Sequence, residues 1–135
     1  MKDVSENMSG APESLAGVFP PIPTPFGTEG NVAYQALTEN IALWNQYAFA
    51  GYVVLGSNGE VVYLSDQEKV RIWEAARQAI PSDRSMIAGT GCESTDQTVA
   101  LSHQAADVGA DAVLVLTPHY YRGQMTASAL TRHFR

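Results

Sequence analysis

Short runs of apolar residues alternate with longer segments of mixed polarity along most of the chain. Strand candidates begin near Val18, Tyr52, Met86 and Ala112, and two of them, Tyr52–Leu55 and Ala112–Leu116, are apolar throughout with no alternation of apolar and polar positions. Uninterrupted apolar runs of this length are typical of strands in parallel sheets that helices cover. We therefore predict four short parallel strands, and we expect the strand from Tyr52 to Leu55 to be buried on both faces.

The segments between these runs have the periodicity of helices. Apolar residues at positions 37, 41 and 44 predict one face of a helix over 34–46. Ser65 and Glu68 have the spacing of a capping box, which predicts a second helix that ends near residue 80. Ser94 and Gln97 have the same spacing before a third helix, and a fourth runs from about residue 126 to the last residue.

The predicted order is a strand followed by a helix, four times over, which is typical of parallel strands with right-handed crossovers. Two α/β architectures have this order. One is an open, doubly wound sheet, and the other is the N-terminal half of a TIM (β/α)₈ barrel, about four βα units of a fold that needs ~250 residues. Residues 1–16 contain no apolar block, and we expect a flexible tail there before one domain over 17–135.

The second apolar run ends in the five-residue stretch from Gly56 to Glu60. In α/β folds, ligands bind at the carboxyl ends of the strands. The glycines let a ligand approach the backbone, while Ser57 and Asn58 offer a hydroxyl, an amide and backbone N–H groups. Such donors suit a small carboxylate or an oxyanion. A tight turn that binds nothing fits the same spacing, and the spacing alone does not decide.

Tyr120 follows the fourth apolar run and therefore belongs to the same end of the predicted sheet as Ser57. A tyrosine there can pass protons if its hydroxyl is hydrogen-bonded to another hydroxyl. The alternative is an amphipathic ring that packs on a loop, which is the interpretation that we favour for Tyr121.

Two other kinds of site find little support in the sequence. Gly89-Thr90-Gly91 imitates the start of a dinucleotide fingerprint, but Ser94 stands at the third glycine and no acid follows the next strand. The three histidines are too scattered along the sequence to predict a metal site.

Charge and composition limit the partners and the compartment. The formal net charge of −6 disfavours nucleic acid or an anionic membrane as the main partner. No apolar run approaches the ~20 residues that span a bilayer. With one cysteine and neither a secretory signal nor a transit peptide at the start, we expect a cytoplasmic protein.

Five motifs, in order along the chain, resemble the dihydrodipicolinate synthase/N-acetylneuraminate lyase family, and the resemblance covers residues 17–135. Gly-Ser-Asn-Gly-Glu, Gly-Cys-Glu-Ser-Thr and Tyr-Tyr-Arg-Gly are similar in particular to the 4-hydroxy-2-oxoglutarate aldolases. The five motifs are Thr24-Pro25-Phe26, Gly56-Ser57-Asn58-Gly59-Glu60, Gly89-Thr90-Gly91, Gly109-Ala110-Asp111-Ala112 and Thr117-Pro118-His119-Tyr120-Tyr121.

The resemblance implies a class I, Schiff-base aldolase or lyase on a TIM barrel, acting on a small pyruvate-type 2-oxo acid without a metal or organic cofactor. Ser57 matches the hydroxyl that relays protons together with tyrosines. Asn58 matches the position that helps to bind the carboxylate of the pyruvyl group. Tyr120 matches the relay tyrosine that a neighbouring subunit contributes, which implies a homodimer or a homotetramer.

The family's Schiff-base lysine belongs on the sixth strand, and its main catalytic tyrosine follows the fifth, so neither lies in this chain. The two lysines that are present, Lys2 in the predicted tail and Lys69 on the predicted polar side of a helix, are not candidates for the imine. We therefore expect this chain alone to be inactive. The alternative is a non-catalytic half-barrel that assembles with a partner polypeptide.

Overall fold

The computed structural model describes residues 15–135, so the predicted tail lies outside the described residues except for its last two positions. Within the described part, helices and parallel strands alternate as predicted. The α-helices are α1 (Tyr34–Trp44), α2 (Asp66–Ala79), α3 (Thr95–Asp107) and α4 (Ala127–His133), and the strands are β1 (Gly51–Val54), β2 (Ser85–Gly89) and β3 (Ala112–Leu114). Short 3₁₀ turns cover Ser57–Gly59, Val61–Tyr63 and Arg122–Gln124.

The capping box predicted for α2 has both of its hydrogen bonds, whereas the one predicted for α3 has one of them. The Ser65 hydroxyl accepts the N–H of Glu68 (3.3 Å), and the Glu68 carboxylate accepts the N–H of Ser65 (2.8 Å), so the first box is confirmed. The Ser94 hydroxyl accepts the N–H of Gln97 (3.4 Å). The Gln97 side chain, however, donates to the carboxylate of Asp66 in α2, because a charged acceptor forms the stronger hydrogen bond.

The helix ends lie close to their predicted positions. Gly109 follows α3 with φ of +94°, a conformation that glycine adopts without the steric penalty of a side chain. The helices α1 and α4 each end two residues earlier than predicted, which is within the usual variation of helix boundaries.

The three strands form one parallel sheet in the order β1-β2-β3. Tyr52 pairs with Met86 across the first ladder, and Ala88 pairs with Val113 across the second. The prediction that β3 extends to Leu116 is wrong, because the ladder ends at Leu114.

The predicted strand near Val18 is an extended segment rather than a regular strand. It runs parallel to β1, where the N–H of Ile22 donates to Val53 (3.0 Å) and the N–H of Val53 donates to Pro20 (3.0 Å). Its single bridge joins Pro21 to Val53. Prolines have no N–H to donate, so a continuous ladder cannot form across Pro20 and Pro21.

The spatial order of the four parallel segments is therefore the order of the sequence. Doubly wound sheets reverse their strand order at a switch point, whereas a barrel keeps the strands sequential. The packing order of the helices also fits a barrel, because α1 packs against α2 and α2 packs against α3. The structure thus favours the half-barrel over the open sheet.

One face of the sheet carries the core and the other does not. The core lies between the strands and the helices, and its fully buried members include Leu37, Ile41, Tyr52, Val54, Ile72, Trp73, Ala76, Met86, Ala88, Leu101 and Ala105. On the opposite face, Val53 and Ile87 are half-buried and Leu114 is 38 % exposed. The predicted burial of Tyr52–Leu55 on both faces is therefore met in part: Tyr52, Val54 and Leu55 are buried, whereas Val53 is half-buried because helices cover one face of the sheet.

The end of β2 gives a sharp test of the fold. A Cβ at Gly89 would overlap the carbonyl oxygen of Leu55, which follows β1. We expect Gly89→Ala to lower the free energy of unfolding by about 1–3 kcal/mol or more, because two strand ends must separate. Urea unfolding of the purified variant measures this loss.

Gly123→Ala is the matched control, because a Cβ at Gly123 meets no atom within 4 Å. We expect its free energy of unfolding to stay within about 0.5 kcal/mol of the original. Equal losses in the two variants would contradict the tight packing of the strand ends.

Candidate active site

The candidate residues lie at the carboxyl-terminal edge of the sheet, where three loops follow the three strands. Ser57 and Asn58 lie in the loop after β1, Glu93 lies after β2, and Tyr120 lies after β3. Parallel strands end at the same edge, so the fold alone places these residues at one end of the molecule.

The loop after β1 begins with an unusual backbone conformation. Leu55 is 1 % exposed and has φ of 62°, which lies in the left-handed region and costs a non-glycine residue about 1–2 kcal/mol. Glu60, at φ of 55°, ends the loop in the same region. Between them, Ser57 and Asn58 occupy one 3₁₀ turn with exposed side chains. Strain of this kind persists where the surrounding structure holds it, and it concentrates at functional sites.

Thr24 holds this loop from one side. Its side chain is buried, and its hydroxyl donates a hydrogen bond of 2.7 Å to the carbonyl of Gly59. The sequence placed Thr24 just beyond the first predicted strand but gave it no partner. The bond joins residues 35 positions apart and fixes the turn that carries Ser57 and Asn58.

The glycines after β2 are explained by backbone packing. Gly89 lies against the Leu55 carbonyl, and a Cβ at Gly91 would lie 2.6 Å from the backbone nitrogen of Leu116. Between them, Thr90 is 1 % exposed and its hydroxyl shares a hydrogen bond of 2.9 Å with Ser102. These glycines therefore have a structural role in closing the strand ends, and their presence does not require a nucleotide.

Tyr120 projects from the loop after β3. Its side chain is 76 % exposed, and its ring lies edge-on to that of Tyr121 with the centroids 5.0 Å apart. Tyr121 is itself 69 % exposed, so its ring packs on a neighbouring ring and remains open to solvent. Within residues 15–135, no hydrogen bond joins the hydroxyl of Tyr120 to that of Ser57. The two residues thus lie at the same edge of the sheet without a hydrogen bond between their hydroxyls in this part of the chain.

Glu93 binds the backbone that carries Tyr120. Its carboxylate accepts the N–H groups of His119 (3.0 Å) and Tyr120 (3.0 Å), and it lies 2.9 Å from Nδ1 of His119. The backbone hydrogen bond from Tyr120 is the main cause of a pKa of Glu93 below its usual value. The sequence analysis assigned no role to Glu93.

One signal in the sequence could have revealed this contact: Glu93 is a carboxylate just before the helix cap at Ser94, in the loop beside the strand that leads to Tyr120.

The prediction that Lys69 lies on the polar side of α2 is wrong. Lys69 is 7 % exposed, and its ammonium donates to Asp66 at 3.0 Å. The buried face of α2 consists of residues 69, 72, 73 and 76, which have helical spacing. The long alkyl stem of a lysine can be buried on such a face while its charged end binds a carboxylate. Lys2 lies outside the described residues.

A small cleft opens beside Lys69 at the same edge of the sheet. Its volume is about 280 Å³, and its lining includes Cys92, Glu93, Gln97, Thr117 and His119. Burial raises the pKa of the Cys92 thiol. In the described part of the chain, no three His, Cys, Asp or Glu side chains are grouped to hold a metal ion.

A family model described as the dihydrodipicolinate synthetase family matches residues 14–135. The chain belongs to the dihydrodipicolinate synthetase family. It is 40 % identical over 120 residues to the 4-hydroxy-tetrahydrodipicolinate synthase of Methanococcus aeolicus. It is 38 % identical over 125 residues to the probable mitochondrial 4-hydroxy-2-oxoglutarate aldolase of Emericella nidulans. The alignments cover 89 % and 90 % of this chain but 41 % and 40 % of these relatives.

Solved structures of the family also match this chain over about two-fifths of their own length. The chloride-inhibited dihydrodipicolinate synthase of Acinetobacter baumannii, in complex with pyruvate, is 29 % identical with a TM-score of 0.84, over 90 % of this chain and 41 % of that one. The enzyme of Aquifex aeolicus is 33 % identical with a TM-score of 0.79, over 87 % and 39 %. The chain therefore has the fold of the N-terminal part of a TIM (β/α)₈ barrel, and it spans about two-fifths of the relatives' length.

No helix within residues 15–135 is both long enough and apolar enough to cross a membrane.

The Thr24 hydrogen bond generates a prediction for the loop after β1. Thr24→Val keeps the shape of the side chain but leaves the buried carbonyl of Gly59 without its donor. We expect the free energy of unfolding to fall by about 1–3 kcal/mol in urea. Thr24→Ser keeps the hydroxyl and is the control. A loss in the serine variant equal to that in the valine variant would show that the hydrogen bond contributes nothing.

The Asp66–Lys69 pair generates a prediction about pH. The hydrogen bond from Lys69 is the main cause of a pKa of Asp66 below its usual value. The pair therefore stabilises the fold fully above the usual pKa of an aspartate, and this contribution is lost as the pH falls through the lowered pKa. Asp66→Asn should therefore lower the free energy of unfolding at neutral pH, by about 1 kcal/mol because Asp66 is half exposed. The difference from the original protein should shrink in acid.

Urea unfolding at a series of pH values, from neutral down to the acid transition, measures this difference. Asp96→Asn is the control, because Asp96 also lies in the first turn of a helix. A difference for Asp66→Asn no larger than that for Asp96→Asn at every pH would assign the effect to the helix terminus and not to the ion pair.

Proposed function

We propose that this chain is the N-terminal half of a class I, pyruvate-type aldolase or lyase. The substrate is a small 2-oxo acid such as 4-hydroxy-2-oxoglutarate, or the reaction is a condensation like that of dihydrodipicolinate synthase. The observation that carries the proposal is the strained loop after β1, which presents Ser57 and Asn58 at the strand ends of a family barrel. The names of the relatives support this reaction class.

In this proposal the loop binds and orients the substrate. The side-chain amide of Asn58 donates to the carboxylate of the 2-oxo acid, while the N–H groups of Gly59 and Glu60 are used in hydrogen bonds within the turn. The hydroxyl of Ser57 both donates and accepts, so it can pass a proton to and from a reacting oxygen or carbon. The hydrogen bond from Thr24 keeps both residues in place during the reaction.

The covalent step requires a lysine that neither Lys2 nor Lys69 of this chain supplies. Its amine attacks the 2-oxo carbon and releases water to form an imine, which accepts an electron pair as a C–C bond breaks. Protonation of the resulting enamine at C3 and hydrolysis of the imine then release pyruvate. Lys69 does not fit this role, because its Nζ donates a hydrogen bond of 3.0 Å to the carboxylate of Asp66. The chemistry requires neither a metal nor an organic cofactor.

Tyr120 completes the proton relay from a neighbouring subunit. Its exposed ring and the absence of a bond to Ser57 within residues 15–135 support action in the site of a second copy. The active protein is accordingly a homodimer or a homotetramer of complete barrels. A cytoplasmic location also stays part of the proposal.

A second candidate function is a non-catalytic half-barrel that assembles with a partner polypeptide. It is favoured by the apolar side chains along and after β3, where Val113 is 42 % exposed and Leu116 is 51 % exposed. A strand of the partner would pair with the free edge of β3 and cover these side chains.

One experiment separates the two functions. The natively expressed protein is captured, incubated with pyruvate and borohydride, and its intact mass is determined. We expect a mass of about 250–300 residues, the size of a full barrel, with a pyruvate-derived adduct from the reduced imine. A mass of 135 residues without an adduct would exclude catalysis by this chain and favour the assembly role.

Variants of the complete protein test the role of the loop. Asn58→Ala should raise the pyruvate concentration for half-maximal trapping about tenfold, because one hydrogen bond to a carboxylate is lost. Asn31→Ala, at an exposed position in the turn before α1, should leave it unchanged. An unchanged concentration in Asn58→Ala would remove Asn58 from the substrate site.

A further inference from the structure

The carboxylate of Glu93 binds the backbone of the loop that contains Tyr120. One oxygen of Glu93, Oε2, accepts the N–H groups of both His119 (3.0 Å) and Tyr120 (3.0 Å). The other, Oε1, lies 3.2 Å from the N–H of His119 and 2.9 Å from its Nδ1. Two consecutive backbone N–H groups therefore share one acceptor oxygen, and this oxygen fixes the position of the backbone from His119 to Tyr120.

The loop after β3 has few other attachments. The side chains of His119, Tyr120 and Tyr121 are exposed, so burial does not hold them in place. Within the described part of the chain, no hydrogen bond other than those to Glu93 ties residues 119–120 to another element. The position of the Tyr120 backbone therefore depends on where Glu93 lies.

Glu93 is itself firmly placed. The N–H of Cys92, just before it, donates to the hydroxyl of Thr98 at 3.0 Å. Thr98 is 5 % exposed and also donates to the carbonyl of Ser94, just after Glu93, at 2.9 Å. Residues on both sides of Glu93 are thus fixed to the first turn of α3, which makes Glu93 a stable point of attachment.

We propose that Glu93 is a positioning residue for the proton relay: through the N–H groups of His119 and Tyr120 it sets where the Tyr120 hydroxyl reaches. The inference rests on the proposed function, in which Tyr120 passes the proton. The reach of the side chain and its acceptor oxygen matter in this role, and the negative charge matters less. The contact with the His119 ring is peripheral, because that side chain is 72 % exposed.

The test measures the exchange of the pyruvate methyl protons with deuterated solvent in the complete protein, because that step uses the relay. Glu93→Ala should lower kcat for exchange by about 10- to 100-fold through misplacement of the tyrosine. Its KM for pyruvate should stay within about twofold, because Asn58 binds the carboxylate. Asp96→Ala, which removes a carboxylate from the same end of α3, should leave both values unchanged.

Two conservative variants separate reach from charge. Glu93→Gln keeps an oxygen at the same distance and should retain most of the exchange rate. Glu93→Asp keeps the charge but is shorter by one methylene, so it should be slowed nearly as much as Glu93→Ala. The opposite order, with the aspartate variant active and the glutamine variant slow, would overturn the positioning role. These variants also decide the question if Glu93→Ala fails to fold.

Tyr120→Phe distinguishes failure of the inference from failure of the proposed function. If Tyr120→Phe slows exchange and Glu93→Ala does not, the positioning role of Glu93 is wrong while the relay stands. If Tyr120→Phe exchanges protons at the original rate, the relay role of Tyr120 is wrong and the inference falls with it. A raised KM with an unchanged kcat in Glu93→Ala would instead place Glu93 in substrate binding and overturn the inference.

Discussion

The carbonyl oxygen of Leu55 lies against the α-carbon of Gly89, where any side chain would overlap it. This contact brings the ends of β1 and β2 together, and it accompanies the left-handed backbone at Leu55. The hydrogen bond from Thr24 to Gly59 restrains the same loop from the other side. Ser57 and Asn58 are displayed on a turn that is restrained at both ends, and the geometry of the candidate site depends on those two restraints.

The other loops of this edge follow the same arrangement, since each is held by a side chain from a different segment. Ser102 of α3 bonds Thr90 after β2, and Glu93 bonds the backbone of the loop after β3. Further out, Gln97 of α3 and Lys69 of α2 share the carboxylate of Asp66. Short polar contacts thus connect these loops to neighbouring segments of the fold.

Local sequence predicted the features that local interactions determine. The helical spacing of apolar residues predicted α1, and the spacing of Ser65 and Glu68 predicted the start of α2. Both predictions succeeded because a helix and its cap involve residues a few positions apart. The glycines after the second apolar run, together with the family motifs, predicted that Ser57 lies in a loop at the carboxyl end of a strand. Contacts between distant segments were not predictable in this way, as the burial of Lys69 and the attachment of Tyr120 to Glu93 illustrate. Burial on the second face of the sheet also depends on structure beyond the local pattern.

The restraints on the Ser57 loop have a consequence for the order of folding. Both partners, Thr24 and Gly89, come from the first three parallel segments, so neither of these two restraints involves a residue after position 89. A ribosome adds roughly 5–20 residues per second from the N-terminus, and the βα units follow one another in that order. The part of the candidate site around Ser57 can thus form on the nascent chain, seconds before the segment that carries Tyr120 has been made.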